Sequence, residues 1–341
     1  MAEPIRDNPN CQDIVVSTPT PSIAATPEEL ARLKDAFSGT GPAHDAVMER
    51  IGRADAILLR PIMFPSEGGQ HNQWYQCEQC QIGLTTVDST HHRCPKCRAV
   101  FRGYPFDNVL FKNKHGSLAH EMNTCAWAYA VTGKESYAQA ARTCLLGYAE
   151  RYLKYPYHSA NMGKREDEPR HSGGHVMEQT LSEASWALPV CEAYDLVRRS
   201  AVFTQADHQK MRDGLWLPLY RNIEKYQAGK SNWQTYHNAA MFCIGAVLGD
   251  VSMLKKALED PENGFYRQMD ISVLPGGMWY ENSWGYHFYP LEAVRVTAET
   301  ARRFGIDVYW IPQLKEMYTV ALDYQMIDGT LPRFADATTM K

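Results

Sequence analysis

From about Gly116 onward, apolar residues recur at three- and four-residue intervals, the period of helices that bury one face. Tyr137, Ala141, Cys144, Leu145, Tyr148 and Tyr152 share one such face, and Leu181, Ala184, Leu188 and Cys191 the next. The run 232–248 is apolar on every side after Ala239, which predicts a central, buried helix. Its first turns differ, because Gln234, His237 and Asn238 lie at i, i+3 and i+4 and present one polar face. Punctuation agrees with this reading. Thr26-Pro27-Glu28-Glu29 and Thr204 with Asp207 have the form of helix starts, and Leu30, Leu33 and Phe37 mark a face behind the first. Gly133 and Gly305, the latter after Arg302-Arg303, sit where helices end. Successive helices of about 12 to 20 residues with short breaks predict antiparallel hairpins. No period of about 34 or 40 residues recurs. The expected class is therefore all-α, with helical pairs arranged as an incomplete toroid or partial barrel instead of a regular solenoid.

The first 105 residues break this pattern. Residues 1 to 25 hold Pro, Thr and Ser without a sustained period, as in a flexible or surface-draped arm. Residues 60–105 hold Pro, Gly and aromatics around two CxxC pairs, as in a small irregular or β-rich insert. The expected division is 1–59 for the arm and first helix, 60–105 for the insert, and 106–341 for the helical body. Cys77-Glu78-Gln79-Cys80 and Cys94-Pro95-Lys96-Cys97 stand 13 residues apart. That spacing suits a zinc ribbon with four thiolate ligands built from two knuckles. Local disulfides are the alternative, but a two-residue loop strains such a bond, and the nine cysteines are an odd number. A structural Zn2+ bound by Cys77, Cys80, Cys94 and Cys97 leaves no coordination position open for substrate. His91-His92, between the pairs, offers a spare ligand that four well-spaced thiols do not need. Cys125, Cys144, Cys191 and Cys243 fall in helical apolar patterns and are expected in the core.

Composition narrows the possibilities further. At 341 residues, 44% hydrophobic and 22% charged, with a net charge of -4, the chain has the profile of a soluble globular protein. It carries no bulk attraction to phosphate backbones or anionic lipid, so neither nucleic acid nor membrane is an expected partner. The N-terminus lacks the basic-then-apolar order of a signal peptide, which predicts a cytoplasmic protein, or a secreted or periplasmic one if a leader has been removed. The sequence implies no organic cofactor and leaves the oligomeric state open.

Candidate chemistry concentrates in two stretches. In Gly276–Leu291, Trp279, Tyr280, Trp284, Tyr286, Phe288 and Tyr289 alternate with Glu281, Asn282, Ser283 and His287. Aromatic faces interleaved with titratable groups suit a cleft that stacks on sugar rings and moves protons; aromatic packing in a helical core is the alternative. In Ser231–Asn238, burying the amides and imidazole without partners costs about 1–3 kcal/mol each, so the polar face implies a wet cleft or a satisfied network around a core histidine. A third stretch, Pro169–Gln179, places His171, His175 and Gln179 on a glycine-rich loop before a helix. Such a loop is fit to contact an anion or simply to meet solvent. The preceding run 164–168 is a solvated charged face.

At Ser231-Asn232-Trp233-Gln234-Thr235-Tyr236-His237-Asn238-Ala239-Ala240, at Gly277–His287 and at Asp328–Asp336, the chain resembles the heparinase II/III-like superfamily of polysaccharide lyases and its alginate-lyase relatives. The resemblance covers about residues 105–341. It implies an incomplete α/α toroid followed by a large antiparallel β-sandwich, which is expected to be absent here because the sequence ends at Lys341. Family members draw a histidine from that later domain, and no position here receives it. The resemblance also implies β-elimination at a uronic acid of an acidic polysaccharide or oligosaccharide, such as alginate or a glycosaminoglycan. Asn238 with His237 would neutralise the uronate carboxylate, supported by Asn232 and Gln234. Tyr286 matches the family tyrosine as acid or base, with His237 able to act from the opposite sugar face and His287 as a cationic neighbour for the phenol. Trp233, Tyr280 and Trp284 would stack on sugars, and Glu281 would orient a hydroxyl or a tryptophan. Two other readings remain. A glycoside hydrolase on an α/α barrel would need a carboxylate pair, for which Glu281 and Asp336 are the motif-borne candidates. A non-catalytic glycan-binding protein would need neither.

Overall fold

A computed structural model of the chain describes residues 5–7, 10–11, 14, 23–161 and 172–335. Cα packing divides it into two compact units, one of residues 29–222 and one of 1–28 with 223–341. This differs from the expected division, in which 106–341 formed one body.

The first unit opens with α1 (Pro27–Ser38) and α2 (Pro42–Leu58). Although the sequence grouped α2 with an N-terminal arm, it packs on α3 (Phe106–Thr132) and α4 (Glu135–Arg151). Helix α3 begins ten residues before the expected start near Gly116 and ends at Gly133, whose left-handed backbone closes the α3–α4 hairpin. Between α2 and α3 lies a three-stranded antiparallel sheet of β1 (Thr85–Asp88), β2 (His91–Arg93) and β3 (Val100–Phe101), in that order. These strands fall within the range 60–105, where an irregular or β-rich segment was expected. A second, two-stranded sheet pairs β4 (His158–Ser159) with β5 (Gly173–Gly174). Helix α5 (Thr180–Val197) packs along α3, and α6 (Gln205–Met211) starts at the expected Thr204–Asp207 capping box. Helix α7 (Leu217–Lys225) carries the chain across the division between the units.

One buried carboxylate organises the loop before α5. Oε1 of Glu183 accepts the backbone N–H groups of His175, Val176 and Met177 at 2.9, 2.7 and 2.9 Å, and Oε2 accepts the Tyr152 hydroxyl at 2.8 Å. Burial raises the Glu183 pKa, and these donors oppose the rise. Gly174 is required here, since a Cβ on it would lie 2.4 Å from Glu183 Cγ.

The second unit holds α8 (Asn232–Leu248), α9 (Val251–Glu259), α10 (Phe265–Ser272), α11 (Trp284–Arg303) and α12 (Pro312–Tyr324). Helix α8 is central as expected: it packs on α9 and α11 and is buried at almost every position. Gly249, left-handed, ends it. The described part of the N-terminal arm drapes on this unit. The Ile5 N–H reaches the Asp270 carboxylate at 3.3 Å, and Arg303 donates to the Ile23 carbonyl at 2.6 Å. Cys125, Cys144, Cys191 and Cys243 are buried, as their patterns predicted.

Replacing Glu183 with Ala strands three buried peptide donors and a phenol, and is expected to cost on the order of 3 kcal/mol of stability. The urea unfolding midpoint measures this, and an unchanged midpoint would show that water satisfies the loop equally well.

Candidate active site

The second unit brings the two informative stretches together at one point. Asn232, the first residue of α8 and 6% exposed, donates its side-chain amide to Glu281 Oε2 at 2.9 Å. The same oxygen accepts the Trp279 indole N–H at 2.8 Å. One residue ahead of the Ser231 cap, the Lys230 carbonyl accepts the Tyr280 hydroxyl at 2.9 Å. One turn further along α8, the Tyr236 ring lies 4.5 Å from that of Tyr289 on α11. The segment 279–289 thus docks on the face of α8 that carries Asn232 and Tyr236. Tyr286, in the first turn of α11, is 41% exposed, and its N–H bonds to the Ser283 cap. The local sequence permits this approach. Gly277 has a φ of 91°, and a Cβ on it would lie 2.4 Å from the Glu316 backbone.

The other polar residues of α8 face elsewhere. Five helical residues rotate a side chain by about 140°, so His237 points away from the Asn232 side. The Gln234 amide accepts the Ala228 N–H at 2.7 Å and donates to Gln227 at 2.6 Å and to Asn238 at 2.8 Å, while Asn238 donates to the Asn263 carbonyl at 2.8 Å. This closed network pins the loop before α8 and replaces the wet cleft expected around these residues. His237 is fully buried, and neither ring nitrogen has a hydrogen-bond partner. Desolvation pushes its pKa down to about 3, which leaves a neutral core imidazole. Of the expected set, Asn232 bonds the segment that leads into α11, whereas Asn238 bonds the Asn263 carbonyl and His237 is enclosed without a partner.

Two further expectations change. His287 is buried; its Nδ1 accepts the Trp279 N–H at 3.2 Å and its Nε2 donates to the Met317 carbonyl at 3.0 Å. Burial lowers its pKa, so it is a neutral strut and not a cationic neighbour for the phenol. Trp284 is fully buried with Met278 and Val320 and donates to the Pro332 carbonyl at 2.7 Å, which removes it as a sugar platform. Trp233, Tyr280 and Glu281 are half-buried, and Phe288 and Tyr289 are exposed. Glu281 orients Trp279, one of its two expected roles.

His175 and Gln179 belong to the first unit. The His175 ring bonds the Tyr155 carbonyl at 2.7 Å, and Gln179 reaches Ser182 at 3.4 Å. Pro169, Arg170 and His171, the charged run 164–168, and Asp336 lie outside the described residues. Asp336, the second carboxylate that the hydrolase reading named, thus falls outside them.

In the insert of the first unit, the sulfurs of Cys77, Cys80, Cys94 and Cys97 lie within 4.8 Å of one another, and none of these cysteines is in a disulfide. The Cys77–Cys97 sulfur separation is 3.8 Å, close to the edge of about 3.8 Å that a tetrahedron of Zn–S bonds requires. Gln81 and Arg98, each one residue past a CxxC pair, have φ of 53° and 66° and turn the chain in the same way at both knuckles. His92 is held by Tyr75 at 2.7 Å and Asp107 at 2.8 Å, and His91 by Asp88 at 2.8 Å, so neither serves the thiol cluster.

The buried His237 makes acid stability testable. Its ordinary pKa of 6.5 is lowered to about 3 in the fold, so between these values the unfolded chain binds the extra proton. Stability is complete above the ordinary value and falls toward acid by up to about 1.4 kcal/mol per pH unit. Urea midpoints between about pH 7 and about pH 4 should fall less steeply for His237→Leu than for the wild type. Parallel slopes would move the acid sensitivity to another group.

The sequence profile of the alginate lyase family matches residues 63–332. An alginate lyase of Stenotrophomonas maltophilia is 25% identical over 210 residues, 56% of this chain and 26% of that protein. An exo-oligoalginate lyase of Saccharophagus degradans is 26% identical over 196 residues, 53% of this chain and 25% of that protein. The chain thus spans about a quarter of the length of these curated relatives. Among solved structures, alginate lyase A1-III from Sphingomonas species A1 superposes with a TM-score of 0.54 at 14% identity, covering 86% of this chain and 77% of that one. A heparinase III gives 0.53 at 15% identity, covering 94% of this chain and 45% of that one. At these identities the likeness concerns the fold, the α/α toroid of helical hairpins.

Proposed function

The chain belongs to the alginate lyase family, and from that premise we propose that it is a polysaccharide lyase that cleaves a uronic-acid-containing glycan, alginate or a glycosaminoglycan, by β-elimination. The observation that carries this reading is the hydrogen bond from Asn232 to Glu281, which sets an oriented amide beside the segment that exposes Tyr286. The proton on C5 of a uronate becomes removable once the adjacent carboxylate is neutralised. Asn232 spends one amide hydrogen on Glu281 and has a second for that carboxylate, taking the part that the sequence motif suggested for Asn238 and His237. With both nearby histidines buried and neutral, Tyr286 is the side chain placed to move the proton. With Tyr286 in its phenolate form, the C5 proton passes to the phenolate oxygen, the C5–H electron pair forms the C4–C5 double bond, the C4–O4 bond breaks, and O4 leaves with the proton that Tyr286 returns, which restores the phenolate. Tyr280, Trp233, Phe288 and Tyr289 supply aromatic surface for the flanking sugars.

The thiol cluster fits a closed zinc ribbon, with Cys77, Cys80, Cys94 and Cys97 as the ligands. Bound Zn2+ would hold the insert together and contribute folding energy. No step of elimination passes through it.

Tyr286→Phe is expected to lower turnover by about 100-fold or more with unchanged circular dichroism, read as the ultraviolet absorbance of the unsaturated uronate. Asn232→Ala should likewise lower kcat, whereas Asn238→Ala should lower the melting temperature first. The reverse pattern would return the carboxylate to Asn238. Mass spectrometry of the native protein should find one zinc, and a chelator that removes it should increase proteolysis within 60–105 before activity is lost. Loss of turnover with the insert still protected would give the metal a part in the reaction.

A further inference from the structure

Resting on the lyase reading above, we infer that Lys230 is a substrate-specificity residue that binds an anionic group on a sugar neighbouring the one cleaved. Its position is unusual for a surface lysine, because the backbone around it is fixed. Gly229, at a φ of 62°, donates its N–H to Asn263 at 3.2 Å and accepts from the Gln268 amide at 3.1 Å, while the Lys230 carbonyl accepts the Tyr280 hydroxyl at 2.9 Å. The Lys230 ammonium then lies over the Tyr280 ring, 4.4 Å from its centroid. One tyrosine thus holds both ends of this residue, its peptide oxygen and its charge. Lys230 is exposed and has no ion-pair partner among the described residues, so its charge is available to a ligand.

Its neighbours give the charge a purpose. Tyr280 is followed by Glu281, the carboxylate that orients Asn232, and a negative group there repels an approaching polyuronate. A cation two residues before Asn232 offsets that repulsion and favours chains that carry a carboxylate or sulfate on successive sugars over neutral ones.

The test is calorimetric binding of alginate tetrasaccharide, and of a heparan sulfate tetrasaccharide, to the full chain carrying Tyr286→Phe so that neither is consumed. Adding Lys230→Gln should weaken binding by about two- to fivefold at low salt, with the difference closing as salt rises, and Lys230→Arg should restore it. A purely structural lysine would shift the melting temperature and leave the salt dependence of Kd unchanged. Equal affinity of the Lys230→Gln protein and its Tyr286→Phe parent at every salt concentration would overturn the inference while leaving the lyase reading intact. Failure of the parent to bind either tetrasaccharide would overturn the lyase reading, and this inference with it.

Discussion

One carboxylate oxygen joins the two helix starts that make up the candidate site of the second unit. Glu281 Oε2 accepts both the Asn232 amide and the Trp279 indole, and so fastens the beginning of α8 to the segment that leads into α11. Charge-assisted bonds of this type are about twice as strong as neutral ones, and a half-buried setting spares them part of the screening that weakens surface contacts. Without this junction, an oriented amide and an exposed phenol would belong to two unrelated helix starts. With it, they form one locus on which chemistry can be argued.

Around that locus, polar side chains divide into those that build and those that act. Gln234, Asn238 and His287 are committed to backbone and amide partners, and Trp284 to packing and a carbonyl. They carry the marks of function in the sequence because a buried polar residue must be placed as carefully as a catalytic one. The residues left with exposed surface or spare hydrogen-bonding capacity, Asn232, Tyr280, Tyr286 and Lys230, form the shorter list that the proposed reaction uses.

Much of this was legible beforehand. The helical class, the central burial of α8, the caps at Thr204 and Gly133 and the clustering of the four thiols all follow from local patterns of spacing, which a single chain displays directly. Two things were not legible. The division of the helical body is a matter of long-range packing, which periodicity does not encode. The choice between Asn232 and Asn238 turns on which face of α8 meets α11. Both amides lie on the same helix, and offsets along it say which residues share a face but not what that face meets. The i, i+3, i+4 set of Gln234, His237 and Asn238 was a true face, and it proved to be the one that holds the loop.

The placement of Tyr286 has a consequence for charge. The N-terminal turn of α11 is capped by Ser283, which accepts the Tyr286 N–H, and the aligned peptide dipoles give that end of the helix about half a positive elementary charge. Side chains in this turn lean back toward the N-terminus. Negative charge that a bound uronate brings to this turn would sit in a favourable field supplied by the backbone alone.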